Sequence, residues 1–137
     1  MPRPETPLLT VDAVILFDSD NLVLIKRKNP PFKGQYALPG GFVDVGETVE
    51  VACIREAKEE TNINVKITEL IGVFSKPDRD PRGHTVSIAF LCEPKSNRED
   101  PKAQDDAAEL ELVPIQKIRK MKLAFDHKQI IKKAGLI

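Results

Sequence analysis

The sequence predicts a mixed α/β fold: a mixed β-sheet with helices packed on it. Three observations carry that expectation. Strand-like apolar runs outnumber helical ones. One stretch, residues 48–61, holds neither glycine nor proline and repeats its small apolar residues at helical period. Strands and helices alternate irregularly, with no internal repeat and no linker. A chain of 137 residues fits one compact domain over residues 1–137 and leaves little room for a second.

Pro2, Pro4 and Pro7 mark an extended lead-in. VDAVILF (Val11–Phe17) and LVLIKRK (Leu22–Lys28) read as strands, and the turn-rich DSDN between them reads as a hairpin. NPPFKGQ breaks regular structure. YALPGGFVDVGE (Tyr36–Glu47) is a short strand dissolving into a loop punctuated by glycine. Thr48–Thr61 is the helix, with Val49, Ala52, Cys53 and Ala57 on its apolar side. NVKITELIGVFSK (Asn64–Lys76) is one long strand or two, with Gly72 at a bulge. PDRDPRG is a loop and HTVSIAFLCE (His84–Glu93) a further strand. Pro94–Asp106 is polar and expected to be an exposed loop. AELELVPI is a strand stopped at Pro114, and IQKIRKM and FDHKQIIKKAGL have helical period.

Charge and cysteine usage exclude several functions. The 21 basic and 21 acidic residues cancel, so no long-range field draws in nucleic acid or an anionic membrane, and neither is expected as a partner. No apolar run approaches the roughly 20 residues that span a bilayer. MPRPETPLLT lacks the apolar core of a signal peptide. Cys53 and Cys92 have no metal spacing and read as buried free thiols, which suits a reducing, cytoplasmic compartment.

The run REAKEE (Arg55–Glu60) is where chemistry is expected. On a helix, Glu56, Glu59 and Glu60 stand at i, i+3 and i+4, side by side. Like charges at that spacing destabilise a helix by roughly 0.2–0.5 kcal/mol per pair. The repulsion turns favourable if a hard cation such as Mg²⁺ sits among the carboxylates, since Mg²⁺ takes carboxylate oxygens together with water and substrate phosphates. Alone, the run also fits a solvated charged face. The preceding loop shifts the balance: Gly40, Gly41 and Gly46 allow a tight path. That path can aim a backbone carbonyl at the same cation and bring Glu47 back to Arg55.

With these residues in register, the sequence resembles the Nudix hydrolases, whose signature is G-x5-E-x7-R-E-U-x-E-E-x-G-U, U being bulky and aliphatic. Gly41, Glu47, Arg55, Glu56, Glu59, Glu60 and Ile63 all match. Ala57 is a small version of its aliphatic slot. Asn62 replaces the glycine after the helix, where a left-handed backbone is expected and Asn is the next best residue.

The resemblance implies a Nudix-type α/β/α sandwich and Mg²⁺-dependent hydrolysis of a nucleoside diphosphate linked to another group, with Mn²⁺ as a substitute. It implies Glu56 and Glu60 as metal ligands with the Gly40 carbonyl, Glu59 as a further, water-mediated ligand, and Glu47 with Arg55 as an orienting ion pair. Family members often add a carboxylate from outside the signature. Asp106 and then Glu109 are the candidates here, each with the alternative of an ordinary exposed carboxylate.

Phe74–Leu91, with Pro77, resembles the ADP-ribose pyrophosphatase branch, which implies ADP-ribose as substrate and AMP and ribose 5-phosphate as products. Arg79 and Arg82 would then pair with phosphate or ribose, or else be exposed loop arginines. Phe32 and Tyr36 would stack on adenine or pack in the core. His84 reads as structural. Homodimers are common in this branch, and Leu8 and Leu9 would suit such an interface. Other Nudix substrates, such as a dinucleoside polyphosphate or an oxidised nucleoside triphosphate, and a non-catalytic nucleotide sensor are the alternatives.

Overall fold

The computed structural model describes residues 2–137. Its elements are β1 (Leu8–Phe17), β2 (Asn21–Arg27), β3 (Tyr36–Ala37), β4 (Gly40–Phe42), α1 (Val49–Thr61), β5 (Val65–Phe74), β6 (Thr85–Pro94), β7 (Ala107–Pro114), α2 (Ile115–Ile118) and α3 (His127–Lys133). The seven strands form one sheet in the order β3-β2-β1-β6-β5, with β4 also on β1 and β7 also on β2. β1 and β6 run parallel, and the other pairs are antiparallel. The mixed sheet is therefore as expected.

Strand alternation makes the sandwich. Val11, Ala13 and Ile15 of β1 pack with Ala52, Cys53 and Ala57 of α1 and with Phe90 and Cys92 of β6. Val14, one step out of phase, packs with Leu24, Ala89, Ile130 and Ile131 on the opposite face, under α3. Each fully buried Ile or Leu contributes about 1.5–3 kcal/mol. The residues of α1 that face the sheet are small, so the helix lies close to it. Cys53 and Cys92 are buried free thiols with their sulfurs 3.8 Å apart. Contact with Cys92 and burial hold the Cys53 thiol far above its ordinary range.

Both ends of α1 are capped. Thr48 Oγ1 accepts from the Val51 amide at 3.1 Å. Asn62 takes the left-handed conformation, φ 62° and ψ 16°, and its amide donates to Lys58 O. Asparagine therefore does the work of the glycine in the signature.

Several boundaries differ from the sequence reading. β1 begins at Leu8 because Leu8 and Leu9 already pair with Thr85 and Val86 of β6. Residues 64–76 hold one strand whose register shifts beside Gly72, the expected bulge. The final helix starts at His127, because Phe125 has φ 53°. Residues 95–106 are not merely an exposed loop: the Lys102 amide donates to Thr61 O and the Gln104 amide to Glu60 O. These bonds satisfy carbonyls that the end of α1 leaves free. Among the described residues no helix is long and apolar enough to cross a membrane.

Candidate active site

α1 and the β3–β4 segment meet at two glycines. Asp12 and Gly40 face each other across β1 and β4, and the Gly40 amide turns outward to donate to Glu60 Oε1 at 2.8 Å. N–H and C=O of one strand residue point the same way, so the Gly40 carbonyl faces the same side. A Cβ on Gly40 would come within 2.2 Å of Val11 O, and one on Gly41 within 2.5 Å of Glu56 Cδ. Only glycine lets the chain pass this close to the helix carboxylates.

Arg55 organises those carboxylates with all five of its N–H donors. Nε and Nη2 form a fork on Glu47, at 3.0 and 2.6 Å. Nη1 donates to Glu56 at 2.9 Å and to Glu59 at 3.1 Å, and Nη2 also reaches Phe42 O at 3.0 Å. The loop is thereby tied to the helix as Glu47–Arg55 pairing anticipated. The Arg55 guanidinium and the Asp44 amide hold the Glu47 carboxyl down to about 2.

Glu60 behaves in the opposite way. It is 7% exposed. Burial, reinforced by the Glu56, Asp106 and Asp12 carboxylates, pushes it up to about 8 although the Gly40 amide opposes the shift. Burial also raises Glu56, against the pull of Arg55. Asp106 lies at the mouth, where Asn29 Nδ2 donates to it at 3.4 Å.

These groups line one cleft with two halves. The acidic half holds Glu56, Glu60, Asp44 and Asp106. The other half holds Arg79, Phe125, His127 and Asp12. Glu60, Gly40, Gly41, Phe42, Arg27 and Arg82 belong to both.

The remaining expected residues fall in different places. Glu109 faces Lys26 on the sheet at 3.7 Å and does not line the cleft. Phe32 stacks edge-on against Phe125, centroids 4.8 Å apart, one ring behind the cleft. Tyr36 packs on the α3-side core, with Lys26 Nζ 5.7 Å from its ring centre, so packing is its observed surrounding. Arg82 is half exposed, paired with Asp80 at 2.8 Å and 5.9 Å from the Phe42 and Phe125 ring centres. Arg79 is not an exposed loop arginine: its side chain is 5% exposed. It forks onto Asp126 at 2.9 and 2.7 Å and donates to Thr85 Oγ1.

Sequence reasoning missed Arg27, Phe125, His127 and Asp12. The signal for Asp12 was present, a lone carboxylate within the apolar strand VDAVILF. Arg27 donates to Pro31 O at 2.6 Å and stands 5.0 Å from the Phe125 ring centre.

Among the described residues no cluster of acidic, histidine or cysteine side chains forms a ready-made metal cage. The donor set nevertheless fits a hard cation: carboxylate oxygens and a backbone carbonyl, with no thiol. The raised Glu60 carboxyl marks an excess of buried negative charge that a divalent ion would relieve.

Comparison with known proteins agrees with this geometry. The NUDIX domain profile matches residues 6–134. An ADP-ribose pyrophosphatase of Methanocaldococcus jannaschii is 53% identical over 127 residues, 92% of this chain and 72% of that protein. An ADPR responsive transcriptional repressor, NtrR, of Acinetobacter baylyi is 34% identical over 94% of this chain, which spans 53% of the repressor. The NUDIX domain of Shewanella oneidensis NrtR, solved in complex with ADP ribose, superposes with a TM-score of 0.83 at 30% identity, covering 96% of this chain and 88% of that one. On the profile match and these likenesses, the chain belongs to the NUDIX family.

Proposed function

We propose that this Nudix pyrophosphohydrolase cleaves the diphosphate of ADP-ribose with water, giving AMP and ribose 5-phosphate, with Mg²⁺ as cofactor and Mn²⁺ able to substitute. The observation that carries the substrate is the 53% identity to an ADP-ribose pyrophosphatase across most of both chains. In this reading Glu56, Glu60 and the Gly40 carbonyl hold the metal, and Glu59 joins through water. A divalent ion bound there supplies charge neutralisation of the diphosphate and a more acidic attacking water. Glu47 and Arg55 orient the helix carboxylates.

Asp106, which lines the cleft, is preferred over Glu109 as the base that takes the proton of the water. Arg82, joined by Arg27, faces the substrate's phosphate or ribose, and Arg79 supports that wall from beneath. The reading extends to residues 1–137 working as one domain and to a cytoplasmic homodimer. Leu8 and Leu9, 59% and 40% exposed, are apolar surface that a second copy would cover.

Incubation with Mg²⁺ and, separately, ADP-ribose, diadenosine tetraphosphate and 8-oxo-dGTP tests the assignment. AMP should appear from ADP-ribose. Intact ADP-ribose alongside cleavage of another nucleotide would end it. The repressor relative favours a second reading, ADP-ribose binding without turnover. Calorimetric binding of ADP-ribose with no AMP formed would select that one.

A further inference from the structure

Leu38 and Pro39 join β3 to β4, and the peptide between Pro39 and Gly40 is the backbone unit that touches Glu60. The segment is pinned from below. The Ala13 amide donates to Pro39 O at 2.8 Å, and the Leu38 amide donates to His127 Nδ1 at 2.9 Å. Proline has no N–H, so Leu38 offers the last amide before Gly40. His127 is 4% exposed. Because its Nδ1 accepts from Leu38, its proton lies on Nε2, which faces Asp12 Oδ1 at 3.2 Å.

Asp12 is held in turn. Ser87 Oγ donates to its other oxygen, and Arg79 stands 3.6 Å away. Its Oδ1 also lies directly under Gly40, 2.7 Å from where a Cβ would stand. Arg79 fastens the neighbouring Asp126 and so fixes the start of α3, where His127 sits.

We infer that His127 is a positioning residue for the metal-binding edge of the cleft, acting through the Leu38 amide to set the peptide of Gly40 against Glu60. The inference rests on the metal site proposed above. Asp12 gives the imidazole its tautomer and its angle. A buried carboxylate–imidazole pair thus reaches the metal edge without offering it a ligand.

Two amide substitutions separate the two bonds of the ring. His127→Asn keeps an acceptor where Nδ1 stands, and His127→Gln keeps a polar group only where Nε2 stands. Mn²⁺ dissociation constants are measured by electron paramagnetic resonance on the full chain without substrate, alongside melting temperature, kcat and KM for ADP-ribose. His127→Gln should weaken Mn²⁺ binding on the order of 10–100-fold and lower kcat with KM little changed. His127→Asn should recover most of that affinity.

Wild-type Mn²⁺ affinity in His127→Gln, or an equal loss in both variants, would overturn the inference and leave His127 to packing. If His127→Gln does not fold, His127→Asn decides through hydrogen exchange at Leu38. Mn²⁺ affinity must follow protection of that amide, and affinity that does not follow it overturns the inference. A wild-type chain that binds Mn²⁺ but leaves ADP-ribose intact would end the proposed substrate and leave this inference standing.

Discussion

Two arginine-centred networks flank the cleft, and they differ in balance. Arg55 faces Glu47, Glu56 and Glu59, with Glu60 and Asp106 close by. Arg79 faces Asp126 and Asp12, and Arg82 beside it answers Asp80. The first network has carboxylates to spare, and there burial raises Glu60 and Glu56. In the second, burial works to raise Asp12 and Asp80, but their partners win and both sit below their ordinary values. Excess charge marks the place where an external cation is wanted, and matched charge marks architecture.

The strongest way to break the contrast is to remove single charges. Glu56→Gln or Glu60→Gln should cost several orders of magnitude in rate with the fold intact, read as kcat beside circular dichroism. Turnover near wild type in both would remove the acidic half from the mechanism. Arg79→Met should act on stability instead. It takes the forked partner from Asp126 and the nearby cation from the buried Asp12, and calorimetry should show a loss of about 3 kcal/mol.

A pH series sharpens the difference. Glu60 has a folded pKa raised from 4.5 to about 8, so its contribution is complete below the ordinary carboxyl range and lost as pH climbs toward 8. Asp12 is lowered, so its contribution is present above its ordinary value and lost on acidification. In EDTA the melting temperature should therefore decline between about pH 5 and 8. Mg²⁺ should restore most of that decline, and Glu60→Gln should remove the part due to Glu60 and leave the part due to the raised Glu56 carboxyl. The smallest effect is expected at the helix cap: Thr48→Ala should cost about 1 kcal/mol in denaturant unfolding, with kcat unchanged.

The two networks also differ in how far the sequence discloses them. Glu47 and Arg55 are eight residues apart. Local spacing on one helix and its preceding loop therefore exposes nearly the whole acidic half. Arg79 and Asp126 are 47 apart, Asp12 and Ser87 75, Leu38 and His127 89. Such partners are brought together by the register of β1 on β6 and by the docking of α3 beside the sheet, and no local period encodes either. The same reason explains Arg79, whose loop position suggested exposure but whose partners are Asp126 just ahead of α3, Asp12 on β1 and Thr85 on β6. The α1 face and the bulge at Gly72 were legible because each is a local property. The inner anchoring of residues 95–106 was not, since polar composition alone suggests solvent.

That anchoring divides the segment before β7 into two stretches with different freedom to vary. Insertions at Asn97 and Arg98, ahead of Glu99, which accepts from the Asn64 amide, and of Asp100, whose carbonyl accepts from Asn62 Nδ2, can bulge into solvent and leave the helix end untouched. Between Gln104, bonded to Glu60 O, and Asp106, whose carbonyl accepts from the Lys28 amide, one added residue would displace the acid at the cleft mouth. Length changes in that short window therefore reach the cleft, whereas those at Asn97 and Arg98 do not.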